Sequence, residues 1–207
     1  MKKIIIIGTG GFAREILFLL DEMGKFEQVA GFMEPDEIWN TSWQNKMLMD
    51  KPVFPMSSQN SSKNAFVIGI GDPIIRKKVT TQLDTNADFP VLIHPNAAVS
   101  RWVEIDKGAI ITAGCVVTTQ IILGAHAHLN LCTTIGHDCR INDFFTTAPG
   151  VNISGNCNID SQVYFGTGSA TRQGINICAN VTIGMGAMVV KDIVEPGVYI
   201  GIPAIKK

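Results

Sequence analysis

Stepping by six from Val99 lands on an aliphatic side chain almost every time: Val99, Ile105, Ile111, Val117, Leu123, Leu129, Ile135, Ile141, Thr147, Ile153, Ile159, Phe165, Thr171, Ile177, Ile183 and Val189. Thirteen of these sixteen positions are Val, Ile or Leu, one is Phe and two are Thr. Helices and ordinary strands repeat at about 3.6 and 2 residues, so a phase of six held this long specifies a solenoid. Each hexad supplies one short strand and a turn, and three hexads complete a coil of about 18 residues whose aliphatic positions stack into a continuous core. The solenoid is therefore a parallel β-helix from about Val99 to Val194. Gly, Asn or Asp recurs directly after the stepped residue, as in Ile135-Gly136, Ile141-Asn142, Ile159-Asp160 and Ile183-Gly184, where the turn is expected to take positive φ. Small residues four after it (Ala109, Cys115, Ala127, Thr133, Cys139) suit a tight interior.

The period changes before residue 93. Lys3–Ile7 reads as a strand, Gly8-Thr9-Gly10-Gly11 as a turn, and the chain from about Phe12 as a helix with Ile16, Leu17 and Leu20 on one face. A second strand, Gln28 to Met33, ends in Glu34-Pro35-Asp36. A third, Ala65 to Ile70, leads through Gly71-Asp72 into a basic helix starting near Ile74. Strands alternating with helices imply a small Rossmann-like parallel sheet. The expected division is an α/β domain over residues 1–92 and a β-helix over 93–207.

Composition narrows the function. Hydrophobic residues make up 46%, charged residues 17%, and no apolar run approaches the ~20 residues a bilayer needs. The opening run is only Ile4 to Ile7 before glycines follow, which reads as a strand and not a signal peptide. A cytoplasmic location is expected. A net charge of −1 supplies no basic field for nucleic acid and no polybasic patch for a membrane, leaving small molecules and further copies of the chain as partners. The five cysteines, all within the repeats and in no CxxC pair, read as small wall-fillers in a reducing compartment.

The Gly8-Thr9-Gly10-Gly11 turn lets backbone approach a phosphate or sugar, with helix N–H groups aimed at the anion. Arg14 stands near where a third glycine would complete the dinucleotide fingerprint, so a nucleotide sugar fits better than a redox cofactor. Glu34 and Asp36, at the carboxyl end of the second strand, can hydrogen-bond a base or ribose or simply be solvated turn acids. Of four histidines, His94 ends the linker. His126-x-His128 alternates like strand neighbours facing one side, but no third ligand follows and no metal is expected. His137 follows Ile135-Gly136 and precedes Asp138, so it sits on a turn and projects from the core, suited to proton transfer or ordinary surface.

Four segments carry a family resemblance over nearly the whole chain: Ile7-Gly8-Thr9-Gly10-Gly11-Phe12-Ala13-Arg14-Glu15, His94-Pro95, Leu129-Asn130 through Ile135-Gly136-His137-Asp138, and Gly201-Ile202-Pro203-Ala204. Together they resemble the sialic-acid O-acetyltransferases and nucleotide-4-aminosugar N-acetyltransferases built on hexapeptide repeats. The resemblance implies an α/β domain holding a nucleotide sugar, then a left-handed parallel β-helix that forms a homotrimer and binds acetyl-CoA between subunits, with active sites at subunit interfaces. By the same resemblance His137 is the general base, Asp138 its orienting acid and Asn130 a polar residue of the pocket. Gly155, Thr167, Gly168, Gly184 and Met185 line the path of the CoA arm. Two departures stand out. Thr146 occupies the position where some relatives carry a second histidine, and Glu34-Pro35-Asp36 replaces a run of acids that reads the base.

The first expectation is acetyl-CoA-dependent N-acetylation of a nucleotide-linked 4-amino-4,6-dideoxysugar for surface glycans. O-acetylation of a sialic-acid-type sugar stays open, as do a non-catalytic trimeric sugar-nucleotide-binding protein and redox use of the glycine turn. The base of the nucleotide and the stereochemistry of the sugar are not legible.

Overall fold

The computed structural model describes residues 2–207, and the chain divides into two compact units. One runs to Pro90 without Asp72–Ile74; the other comprises Asp72–Ile74 and Val91–Lys207.

The first unit follows the βα reading. Strand β1 spans Lys3–Ile7, helix α1 Gly11–Glu22, β2 Val29–Glu34, a single turn α2 Asp36–Ile38, β3 Met47–Leu48, β4 Lys51–Pro55, β5 Asn64–Ile68 and α3 Pro73–Thr80. The sheet order is β3-β4-β2-β1-β5, with β1 parallel to both β2 and β5. The four consecutive isoleucines of β1 are buried, as expected of a central parallel strand covered on both faces. Helix α1 buries Ala13, Ile16, Leu17, Leu19 and Leu20. Strand β4 escapes the sequence pattern because Pro52 and Pro55 lie within it, and proline marks against a sheet interior. Strand β5 ends two residues earlier than expected. Beyond it, a Cβ on Gly69 would stand 2.6 Å from that of Ala13, so strand end and helix touch backbone to backbone. That contact supplies the close packing a third turn glycine would have given, and Arg14 is left exposed.

The second unit is a parallel β-helix with three faces. The first stacks Ala98–Val99, Val116–Val117, Thr134–Ile135, Asn152–Ile153, Ala170–Thr171 and Met188–Val189. The second runs from Val103–Ile105 to Asn176–Ile177, and the third from Leu92–Ile93 to Gly197–Ile200, closed by the antiparallel Ile205–Lys206. Strands pair in register with those eighteen residues away, as in Val117↔Ile135 and Ile135↔Ile153. Each stepped aliphatic residue is the inward last residue of its short strand; Ile111, Leu129, Ile135 and Ile141 are 0% exposed. The small residues four beyond are buried too. The threonines in the stepped phase use their hydroxyls. Thr147 Oγ1 accepts the Asn130 N–H at 3.0 Å, and Thr171 Oγ1 accepts the Ser154 N–H at 3.0 Å.

The turn chemistry corrects one expectation. Positive φ occurs three residues after the stepped position and not directly after it. Gly108, Gly114, Gln120, His126, Cys132, Asp138, Phe144, Gly150, Asn156, Gln162, Gly168, Gly174, Asn180 and Gly186 all have φ between 55° and 73°. Gly136 is small for another reason: a Cβ there would meet Gly155 N at 2.6 Å. Asn142 and Asp160 form a ladder instead, Asn142 Nδ2 donating to Asp160 Oδ1 at 3.1 Å.

Three of the five free cysteines, Cys115, Cys139 and Cys157, fill the interior as expected. A hydrogen bond toward Cys157, together with burial, pushes the Cys139 thiol up, and burial pushes Cys115 up. Cys178 is half-buried and packs against the same core, while Cys132 is exposed at a left-handed turn and is not a wall-filler. Among the described residues no helix is long and apolar enough to cross a membrane. Ile141→Ala, which empties part of a fully buried stack, is expected to cost about 2–5 kcal/mol by denaturant titration.

Candidate active site

His137 stands on the edge between the first and second faces, in the turn joining Thr134–Ile135 to Arg140–Ile141. Two features of the fold fix it. Asp138 takes the left-handed conformation, φ 60°, which aspartate tolerates better than most residues. The turn is then clamped by its neighbours: the Asp138 N–H donates to the Thr119 carbonyl at 3.1 Å, and the Asn156 N–H to the His137 carbonyl at 2.7 Å.

The side chains of this pair are about half exposed, with His137 Nδ1 2.7 Å from Asp138 Oδ2. A carboxylate can only accept here, so in the neutral imidazole the proton sits on Nδ1 and Nε2 keeps its lone pair. One coil on, Gly155 forms the floor: a Cβ there would stand 2.7 Å from Nε2 and 2.8 Å from Cε1. Gly155 thus has a role the sequence pattern did not reveal, as the only residue type that lets the imidazole lie in this position.

The other expected residues lie elsewhere. Asn130 is at the opposite end of the strand, on the edge between the third and first faces, where its Oδ1 accepts the Leu131 N–H at 2.7 Å. Thr167, Gly168, Gly184 and Met185 stack on that same edge. The Gly168 N–H donates to the Pro149 carbonyl and the Gly186 N–H to the Thr167 carbonyl. Met185 is 80% exposed, and a Cβ on Gly168 would meet nothing within 4 Å. One chain therefore offers two separate stretches, one on each edge. Thr146 is buried on the third face in register with His128 and Tyr164, off the edge that carries His137.

In the first unit, Gly8 adopts φ 99° and donates its N–H to the Met33 carbonyl at 2.8 Å. This draws the turn against the end of β2, where the Thr9 hydroxyl donates to Glu34 Oε1 at 2.7 Å. Gly10 and Gly11 are exposed at the start of α1, with open space where side chains would be. Asp36 supports the fold, since its Oδ1 accepts the Ser57 N–H at 3.0 Å. Sequence pattern gave no sign of Arg76, which is fully buried and donates to the Ile70 carbonyl at 2.8 Å and the Gly71 carbonyl at 3.0 Å, holding the loop after β5.

The histidine pair is not a strand pair. His126 occupies a left-handed turn, φ 56°, and stacks on Phe144 with ring centres 5.2 Å apart, while His128 lies buried in a strand. His94 is buried, its Nδ1 accepting the Asn96 N–H at 3.0 Å. No cluster of three or more potential metal ligands forms among the described residues.

Residues 3–83 match the family model of the PglD N-terminal domain. The chain is 30% identical over 179 residues to GDP-perosamine N-acetyltransferase of Escherichia coli O157:H7, covering 82% of this chain and 78% of that protein. The chain belongs to the hexapeptide-repeat family of nucleotide-aminosugar N-acetyltransferases. Solved members of this acetyltransferase family superpose along its full length. The acetyltransferase domain of PglB from Neisseria gonorrhoeae FA1090, in complex with acetyl coenzyme A, is 27% identical with a TM-score of 0.88, covering 100% of this chain and 99% of that one. PerB from Caulobacter crescentus, in complex with CoA and GDP-perosamine, shares the fold at 24% identity, with a TM-score of 0.88 and coverage of 100% and 98%.

For this acetyltransferase, Gly155→Ala is expected to displace the imidazole while the coil stays folded. Turnover, read as CoA release, should fall about tenfold to 100-fold with the circular dichroism spectrum unchanged.

Proposed function

We propose that this chain transfers the acetyl group of acetyl-CoA to the 4-amino group of a nucleotide-linked, perosamine-type 4-amino-4,6-dideoxysugar used to build surface glycans. The observation that carries the reading is the His137–Asp138 pair, 2.7 Å apart on an open edge, in a chain whose 30% identical relative is a GDP-perosamine N-acetyltransferase.

The chemistry needs few protein groups. The amine lone pair attacks the thioester carbonyl, forming the C–N bond; collapse of the tetrahedral adduct breaks the C–S bond and releases CoA thiolate. The nitrogen must shed a proton as it becomes an amide. His137 Nε2 accepts that proton, and Asp138 fixes the tautomer and stabilises the imidazolium. The proton then passes to the CoA thiolate, and no covalent enzyme intermediate is required.

The remaining residues divide between the two substrates. Gly8, Thr9, Gly10, Gly11, Glu34 and Asp36 bind the nucleotide, and Asn130 lines the acceptor pocket. Gly155, Thr167, Gly168, Gly184 and Met185 receive the CoA arm. Because His137 and the Thr167–Met185 stretch lie on different edges of one chain, a homotrimer is the assembly that supports this reading. The edge of one copy then faces the complementary edge of the next. A cytoplasmic enzyme is proposed, since acetyl-CoA and nucleotide sugars are drawn from that compartment.

CoA release should be measured with UDP-, dTDP- and GDP-linked 4-amino-6-deoxysugars, with turnover expected for the GDP sugar. His137→Ala should lower kcat by about 100-fold or more. Turnover of hydroxyl acceptors alone would replace this reading with O-acetylation. Light scattering is expected to return three times the mass of one chain.

A further inference from the structure

The edge that carries His137 continues for two more coils toward the start of the β-helix, to the turn that holds Arg101 and Trp102. Backbone hydrogen bonds set the order: the Gln120 N–H donates to the Trp102 carbonyl at 3.1 Å, the Asp138 N–H to the Thr119 carbonyl at 3.1 Å and the Asn156 N–H to the His137 carbonyl at 2.7 Å, so Trp102, Thr119 and His137 accept in turn along one edge, with Arg101 beside Trp102. Parallel strands lie ~4.8 Å apart, so Arg101 and His137 are about 10 Å apart along one edge.

Trp102 is 60% exposed, a large apolar surface for a soluble fold to leave open. The Arg101 guanidinium carbon lies 4.4 Å from the centre of its indole ring. This cation–π contact engages the guanidinium by its position over the ring, and a guanidinium carries five N–H donors in a fork that can grip a phosphate through two bonds at once. Among the described residues no carboxylate pairs with Arg101. Arg101, Trp102, Glu104, Gln120 and Ile122 are among the residues that line a groove of about 480 Å³. Arg101 is the cation of that lining, and Glu104 its carboxylate.

We propose that Arg101, braced by Trp102, holds the diphosphate of the acceptor while His137 takes the proton from its amine. This rests on the reading of the acceptor as a nucleotide-linked aminosugar. Such a molecule carries its diphosphate at C1 and its amine at C4, on opposite ends of one hexose ring. A cation and a base set along one edge, two coils apart, match that separation. The diphosphate of CoA offers the same chemistry, so the experiment reads both substrates.

Steady-state kinetics of Arg101→Met, Arg101→Lys and Trp102→Leu should be run with the GDP-linked 4-amino-6-deoxysugar and acetyl-CoA varied in turn. Arg101→Met is expected to raise the acceptor KM about tenfold or more, leaving kcat and the acetyl-CoA KM unchanged. Arg101→Lys should recover part of the loss, and Trp102→Leu should raise the same KM less. An acceptor KM that does not move, or a rise confined to acetyl-CoA, overturns the proposal while leaving the acetyl-transfer reading intact. A wild-type protein that turns over no nucleotide-linked amine overturns both.

Discussion

Everything in the second unit depends on one constraint: residues eighteen apart must sit directly above one another, about 4.8 Å away. The constraint is met at three kinds of position. Inward aliphatic residues stack on their own kind. The residue three beyond takes a left-handed conformation at every turn from Gly108 to Gly186. Where coils approach most closely a glycine is required, since a Cβ on Gly136 would fall 2.6 Å from Gly155 N. A strand of two residues has little stability alone; the stack supplies it, because each strand hydrogen-bonds on both sides and its apolar residue never meets water.

The same stacking explains how so short a turn can hold the His137–Asp138 pair in place. The backbone around His137 is fixed from the coil before through Thr119 and from the coil after through Asn156. The imidazole is fixed from the side by Asp138 and from below by Gly155. Loops normally give function mobility at the expense of precision. Here the turn is part of a solenoid wall, so its residues are positioned as firmly as core strands while their side chains still face outward.

Much of this was legible because a period of six sustained over sixteen steps has no helical or ordinary strand counterpart. The solenoid, the interior small residues and β1 with α1 followed directly from pattern, though the stacked strands begin at Leu92 and run to Ile200, beyond the expected Val99 and Val194. What was not legible falls into two physical classes. Close approach is the first: Gly69 against Ala13 reveals itself only when two distant backbones are seen together. The second could have been reached by arithmetic. Adding 18 to His137 gives Gly155, and subtracting 36 gives Arg101, so the edge that carries the site can be written out once the coil length is known. The misplaced positive φ came from reading composition in place of register. Glycine after Ile135 and Ile183 serves close packing between coils, while Gln120, His126 and Phe144 accept the left-handed turn despite their side chains.

The His137–Asp138 pair lies open to solvent in one chain, its side chains 57% and 51% exposed. Acetyl transfer to an amine nevertheless gains from excluding water, which would compete for the thioester and weaken the hydrogen bonds to the base. A rigid β-helix cannot fold over its own edge. On the proposed reading, water is displaced by what docks there: the sugar on one side, the CoA arm on the other, and the complementary edge of a neighbouring copy carrying Thr167, Gly168 and Met185. The two edges of a single chain are then halves of different sites, and on that reading a closed ring of three copies gives every half its counterpart.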